Sequence, residues 1–219
     1  MSEKTKYNSI YNKIIKRILD FILAVALSIF LLPVFIVISL AIIIDSGFPV
    51  FYQAERGAYK GKTFRILKFR SMIKNADKVG GGTTAFNDPR ITRLGAFLRK
   101  TKLDEIPQLF NILSGDMSFV GPRPELVFYT SRYSEQEKVI FSVRPGITDY
   151  SSVKFINLDE IVGDSNADEI YEKEVLPIKN ALRVQYAEEV SFIVDIKIFF
   201  LTVMHVLKKI QHVIFYRKK

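Results

Sequence analysis

The residues able to do chemistry crowd between Asp88 and Glu125. Asp104 and Glu105 stand side by side, directly after Arg99-Lys100-Thr101-Lys102, and are followed by Pro107, Asp116 and then Gly121-Pro122-Arg123-Pro124-Glu125. Carboxylates coordinate Mg²⁺ or attack phosphorus, and arginine offers a planar fork matched to phosphate oxygens. Together they describe phosphoryl transfer. Attack of one anion on another is slowed by charge repulsion, which Arg side chains and a divalent metal neutralise. An isolated Asp-Glu pair means little, because most such pairs are solvated surface charge. Arg123 is more telling: the ring-locked Pro122 and Pro124 hold its backbone in extended or turn geometry and present one cation with little freedom, although a plain Pro-rich turn has the same pattern. Lys68 and Arg70 alternate with Phe69, so a strand there puts both cations on one face, either as a phosphate pocket or as a solvated strand face. His205 and His212 fall on one side of the last helix without a carboxylate cluster, which reads as packing or interface rather than metal ligation. No P-loop, Gly-x-Gly-x-x-Gly, zinc spacing or Ser-His nucleophile is present.

Several elements must position these groups. Thr63 to Phe69 alternates like a strand or a short amphipathic piece. Gly80-Gly81-Gly82-Thr83-Thr84 reads as a permissive loop, and Asp88-Pro89 as a turn or helix start. Ile91, Leu94, Phe97 and Leu98 predict one apolar helical face, leaving Arg90, Arg93, Arg99 and Lys100 for solvent or an anion. Ala167 to Glu189 reads as a helix interrupted at Pro177. Phe192 to Phe215 reads as a strongly apolar helix carrying Asp195, Lys197 and His205, which suits either an interfacial helix beside anionic lipid or ordinary core packing.

From Ile18 to Ile44 the chain is almost continuously apolar, interrupted by Asp20, Ser28, Pro33 and Ser39. A straight helix of that length runs to about 40 Å, against roughly 30 Å of hydrocarbon. Pro33 predicts a kink near the centre, with Ser28 or Ser39 able to satisfy nearby backbone groups. One bitopic helix is the commonest meaning of such a run. Here, however, both flanks are basic: Lys4, Lys6, Lys13, Lys16 and Arg17 before it, and Arg56, Lys60, Lys62, Arg65, Lys68, Arg70 and Lys74 after it. Positive charge marks the cytoplasmic side, so two basic flanks favour a re-entrant hairpin that returns to the side it entered from.

The 219 residues are 48% hydrophobic, enough for one domain plus a membrane element. Their 32 Lys and Arg against 23 Asp and Glu give a formal charge of +9, which attracts nucleic acid, anionic headgroups or phosphorylated substrates alike. The absence of Cys removes disulfides, thiolate metal sites and Cys nucleophiles.

The run Lys68-Phe69-Arg70-Ser71-Met72, then Asp88-Pro89-Arg90-Ile91-Thr92, Leu98-Arg99-Lys100, Leu103-Asp104-Glu105-Ile106-Pro107-Gln108, Asn111-Ile112-Leu113, Gly115-Asp116-Met117-Ser118 and Val120-Gly121-Pro122-Arg123-Pro124 resembles the bacterial sugar transferases, the monotopic polyprenyl-phosphate phosphoglycosyl transferases. The resemblance extends from about Lys13 to the C-terminal helix. It implies an α/β, mostly helical fold: a re-entrant helix kinked at Pro33, and a small catalytic domain with amphipathic interfacial helices on the cytoplasmic face of the bacterial inner membrane. The expected division is residues 1–45, 46–190 and 191–219. By the same resemblance Asp104 would be the nucleophile toward the sugar-bearing phosphorus of a UDP-sugar. UMP would leave, and polyprenyl (undecaprenyl) phosphate would then take the phosphosugar from the aspartyl intermediate. Glu105 would act as base or electrostatic partner, and Mg²⁺ would bind at Asp104 and Glu105. Arg99 and Arg123, with Lys68 and Arg70, would hold phosphates, while Asp116, Pro122 and Pro124 would support the site.

Two departures from the family pattern stand out. Ala58 occupies a position where the family usually has Gly, and Asp149-Tyr150-Ser151-Ser152 replaces a Gly and an apolar run, in a segment that could shape the sugar pocket. Longer members carry further N-terminal membrane helices and a soluble domain, so this chain looks like a minimal catalytic unit. Anionic membrane lipid is an expected partner, and a homodimer is left open. A tethered, non-catalytic scaffold that binds anionic lipid would use the same basic flanks without needing the carboxylate pair. A nucleic-acid-binding domain fits the charge, but no recognisable module interleaves aromatics with basic residues.

Overall fold

The computed structural model describes residues 6–76, 79, 81–85, 87–163 and 166–215; the expectations at Gly80, at the His212 side chain and at Tyr216-Arg217-Lys218-Lys219 lie outside the described residues. The chain enters through a wide helical turn, Tyr11–Ile15, that runs into α1 (Lys16–Phe30) and, past a break, α2 (Leu32–Ser46). The break falls at Leu31 (φ −89°, ψ 0°), and the two arms are bent by 62°. Pro33 sits in the first turn of α2, where its missing N–H and fixed φ are tolerated; a continuous helix would have required that N–H to reach back to Ile29. The expected kink is therefore a helix break just ahead of the proline. Ser39 Oγ bonds the Phe35 carbonyl at 2.7 Å as expected, whereas Ser28 Oγ is buried without a partner among the described residues. No single helix among the described residues is long and apolar enough to cross a membrane; the bent pair passes that test only together.

An antiparallel hairpin follows, β1 (Phe51–Gly57) with β2 (Thr63–Phe69), registered Tyr52 to Lys68, Ala54 to Ile66 and Arg56 to Phe64. Phe64 and Ile66 turn inward to a core shared with Ala24 of α1 and with Leu109, Ile112 and Met117. Ala58, the first departure from the family pattern, places its methyl in this same core. The predicted helix around Ile91–Leu98 begins two residues later and runs further, as α3 (Arg93–Thr101), because Thr92 Oγ1 caps it by accepting from Gly95 N at 2.9 Å. Of the two expected settings for Arg90, solvent or an anion, the structure has the second: Arg90 is buried, and its guanidinium grips Asp88 through both carboxylate oxygens.

Beyond lie α4 (Gln108–Ser114) and β3 (Ser118–Val120), which pairs in parallel with β4 (Gly146–Thr148). The remainder is helical: α5 (Val127–Thr130), α6 (Tyr150–Lys154), α7 (Leu158–Val162), α8 (Ala167–Ile170), α9 (Leu176–Glu189) and α10 (Phe192–Phe215). The Pro177 interruption appears as a widened turn, Tyr171–Val175, that leads into α9 and frees the proline from a clash with the preceding carbonyl.

The last helix packs into the core along one face and leaves apolar side chains exposed on another. Ile198 is buried against Val120 and Tyr186, while Ile193 (78% exposed) and Phe200 (61% exposed) face outward. Asp195 is buried and accepts from Lys16 Nζ, from Tyr11 OH at 2.6 Å and from Tyr186 OH at 2.6 Å, which pins α10 to the base of α1. Among the described residues the fold is mostly helical with two small sheets, which matches the α/β expectation, and side chains from both sides of residues 45 and 190 share cores.

Candidate active site

Lys102 adopts a left-handed conformation (φ 60°) that ends α3 and turns the chain into a tight helical turn, Leu103–Glu105. That turn buries both carboxylates: Asp104 is 5% exposed and Glu105 8%. Buried acids require partners, and the two fare differently. Glu105 receives Lys68 Nζ at 3.3 Å on Oε1, Arg123 Nη1 at 3.0 Å on Oε2, and Arg123 Nη2 on Oε1. This is a two-pronged Arg–carboxylate clamp closed by a lysine. Asp104 Oδ1, by contrast, is buried with no hydrogen-bond partner among the described residues.

Three devices set this geometry. Asn111 of α4 accepts from Leu67 N and donates to the Arg65 carbonyl, both at 2.9 Å, which fastens α4 to β2 and brings Lys68 over Glu105. The Pro122-Arg123-Pro124 turn sits where the β3–β4 pairing brings Gly121 and Gly146 so close that a Cβ on Gly121 would lie 2.3 Å from the Arg144 carbonyl oxygen. Pro122 and Pro124 are buried, and the Pro122 carbonyl accepts from Gly146 N at 3.1 Å. Asp149, at the second departure from the family pattern, caps α6 through Ser152 N at 2.7 Å and also accepts from Arg123 N at 3.1 Å. Arg123 Nη1 gives a further bond to the Ile147 carbonyl at 2.9 Å.

Behind the turn, the fully buried Arg183 of α9 donates to Glu125 Oε2 at 3.4 Å and lies 3.9 Å from Asp149, and Tyr171 OH donates to the same Glu125 oxygen. The sequence marks Asn111 only as part of a family motif and Asp149 only as part of a segment near the sugar pocket, and gives no sign of Arg183. The Asp149-x-Ser-Ser cap signal was legible, but its contact with Arg123 joins separate parts of the chain.

The other expected residues separate. Arg99, half-buried in the last turn of α3, exerts its charge on Asp104, and its guanidinium has no hydrogen bond or ion pair among the described residues. Arg70 does not share the Lys68 face. β2 ends at Phe69, and the Arg70 guanidinium turns to Ser46 Oγ (2.7 Å) and the Gly47 carbonyl (2.6 Å) at the exit of α2. Its bonds lead away from the carboxylates. Asp116 accepts from Ser114 Oγ at 2.7 Å, beyond the end of α4.

Electrostatics divides the pair in the same direction as the bonding. Burial lifts the Asp104 carboxyl above its ordinary value, with Lys68 opposing and Glu105 reinforcing the rise. Burial also acts upward on Glu105, but Arg123 and Lys68 together overcome it and hold that carboxyl well below the usual range. Two adjacent acids with divergent environments are the pattern of divided labour: one fixed anion that orders cations, and one reactive group with a free oxygen. No group of three or more metal-ligating side chains gathers among the described residues. Mg²⁺ commonly binds through one or two carboxylates plus substrate phosphates, and the unpartnered Asp104 oxygen beside Glu105 suits that mode rather than an all-protein cage.

A buried acid pair, one member clamped by Arg and Lys and the other with a free oxygen, on a small helical α/β scaffold is an arrangement suited to phosphoryl transfer. Residues 11–209 match the bacterial sugar transferase family model, and the chain belongs to that family. It is 38% identical over 196 residues to the UDP-glucose:undecaprenyl-phosphate glucose-1-phosphate transferase of Escherichia coli, covering 88% of this chain and 40% of that one. It is 42% identical over 137 residues to a putative undecaprenyl-phosphate N-acetylgalactosaminyl 1-phosphate transferase of Bacillus subtilis, covering 62% of this chain and 74% of that one. An uncharacterized sugar transferase of the same organism, EpsL, is 36% identical over 198 residues, covering 89% and 88%. The chain thus spans well under half the length of the Escherichia coli relative.

Proposed function

We propose that this chain is a phosphoglycosyl transferase that moves a sugar-1-phosphate from a UDP-sugar to polyprenyl (undecaprenyl) phosphate, the first membrane step of glycan assembly. The observation that carries the reading is the unequal acid pair: Asp104 keeps a buried oxygen free while Glu105 is clamped by Arg123 and Lys68. An Asp104 oxygen attacks the sugar-bearing phosphorus, the bond from that phosphorus to the bridging oxygen breaks, and UMP departs with the electron pair. A phosphate oxygen of the polyprenyl phosphate then attacks the same phosphorus, releasing Asp104 and giving polyprenyl-diphosphate-sugar. Glu105 keeps Arg123 and Lys68 aimed at the developing charge, and Arg99 adds a cation beside Asp104. Asp104, with Glu105 alongside, would hold Mg²⁺, which supplies charge neutralisation on the diphosphate when bound. The relatives' printed activities on undecaprenyl phosphate support the same reaction class.

The bent α1–α2 pair is read as a re-entrant hairpin in the cytoplasmic leaflet of the bacterial inner membrane, with the catalytic domain on the cytoplasmic face. In support, Ile29 (71%), Phe30 (77%) and Ile44 (86%) are exposed on it, and its flanks are basic. Residues 1–45 thus serve as anchor, 46–190 as catalytic part and 191–219 as interfacial helix. Labels placed at the two ends of the chain should both report the cytoplasmic side; a periplasmic N-terminus would refute the hairpin.

The deciding experiment is UMP release from a panel of UDP-sugars with undecaprenyl phosphate and Mg²⁺, for wild type and Asp104→Asn. Turnover in the wild type should vanish in the variant while folding persists, because an amide is a far poorer nucleophile at phosphorus. Full activity in Asp104→Asn would sink the covalent route. Silence of the wild type across the panel would favour the tethered anionic-lipid scaffold.

A further inference from the structure

Arg56 is the cation left over. On β1 it is paired with Phe64, and the register puts its side chain on the hairpin face that also carries Lys68. Its backbone bridges Leu126, and the next residue, Gly57, donates its N–H to the Glu125 carbonyl at 3.0 Å, so Arg56 borders the segment that presents Arg123. Its Nε is buried with no hydrogen-bond partner, and no carboxylate forms an ion pair with its guanidinium among the described residues. The nearby acids are already engaged: Glu105 by Arg123 and Lys68, and Glu125 by Arg183 and Tyr171. Burial lowers the affinity of Arg56 for its proton, the Glu125 charge opposes this without forming an ion pair, and the like charge of Arg123 adds to the lowering; Lys68 in turn feels the like charge of Arg56.

A guanidinium with no ion pair among the described residues and a buried, unpartnered Nε, set on the same face as Lys68 and within the field of Arg123, is a cation that an incoming anion would satisfy. We propose that Arg56 is a substrate-binding residue that takes a phosphate oxyanion between itself, Arg123 and Lys68. This rests on the phosphoglycosyl-transfer reading for the source of that anion, which is either the nucleotide-sugar diphosphate or the lipid-linked monophosphate. The guanidinium donates hydrogen bonds to a non-bridging oxygen and neutralises charge there, without exchanging a proton.

The test uses the full chain in detergent or nanodiscs, comparing wild type, Arg56→Gln and Arg56→Lys. A structural arginine stabilises the apo protein, whereas a cation waiting for an anion does the opposite. The apo melting temperature of Arg56→Gln is therefore expected to equal or exceed that of the wild type. The upward melting shift that UDP gives the wild type should be lost in Arg56→Gln and partly kept in Arg56→Lys. kcat/KM for the UDP-sugar should fall by about ten-fold or more, the scale of one charge-assisted hydrogen bond. A rise confined to the KM for polyprenyl phosphate, with UDP binding retained, would assign the oxyanion to the lipid and still support the role.

Three outcomes overturn the proposal: Arg56→Gln binding UDP and polyprenyl phosphate and turning over as wild type does, a large fall in apo melting temperature with binding retained, or failure of both variants to fold. Wild-type UMP release separates the two claims. Turnover that is indifferent to Arg56 removes this inference alone, whereas Arg56-dependent UDP binding without any UMP release removes the reaction and leaves the anion site.

Discussion

At the scale of single residues, two neighbours of nearly identical chemistry are driven apart by what surrounds them. Glu105 is an anion by virtue of Arg123 and Lys68, and Asp104 is lifted by burial. On the proposed mechanism the lifted group must be ionised to attack, so activity is expected to rise with pH, with the acid limb of kcat/KM above the ordinary aspartate value. Lys68 lowers Asp104, so Lys68→Met should move that limb to higher pH in addition to slowing turnover, a shift read from a pH–rate profile. The linkage to stability has opposite signs in the two acids. Glu105, with its folded value depressed, contributes stability that is present above the ordinary glutamate range and is lost as pH falls through the folded value. Asp104, raised on folding, contributes stability only when protonated and withdraws it as pH rises.

At the scale of elements, the site depends on α4 being fastened to β2, by the core that Phe64 and Ile66 share with Leu109 and Ile112 and by one polar side chain. Asn111 satisfies both a strand N–H and a strand carbonyl. Asn111→Ala leaves both unpaired, and the expected destabilisation is ~2–3 kcal/mol, measured by denaturant unfolding of the solubilised protein. Because Lys68 follows directly on the clamped Leu67, the same variant should lose activity even under conditions where it is folded. The α1–α2 break follows an equally local rule, that Pro33 can begin a helix but not continue one. The 62° bend is its consequence for the whole hairpin.

At the scale of the molecule, α10 meets the root of α1. Asp195 of α10 takes Lys16, Tyr11 and Tyr186 at once, so the helix that presents Ile193 and Phe200 outward is locked to the root of α1. Asp195→Ala would leave Lys16 buried without its counter-ion, at a cost of about 3 kcal/mol. The variant should unfold at lower denaturant concentration and expose α10 to limited proteolysis before the rest of the domain. Unchanged protease sensitivity of α10 would mean that its apolar contacts through Ile198 suffice.

Local rules made much of this readable from the chain alone. The apolar run and its proline, the hairpin strand, the helical periodicity through Leu98 and the α9–α10 helices all depend on residues within a turn or two of one another, and those elements appear nearly where expected. The adjacency of Asp104 and Glu105 and the Pro122-Arg123-Pro124 turn were likewise written in the order of residues. Sequence alone had no means of choosing which cations would meet Glu105: Lys68 lies 37 residues from it and Arg123 lies 18, and their meeting needs the β2–α4 clamp and the β3–β4 pairing. For the same reason Arg70, two residues from Lys68, ends on Ser46 and Gly47, and Arg90, expected to meet solvent or an anion, is buried on the Asp88 carboxylate. Charge and spacing fix which groups are available. Which of them lose their water, and beside which partner, is decided only when distant segments close on one another, because desolvation and ion pairing act through space rather than along the chain.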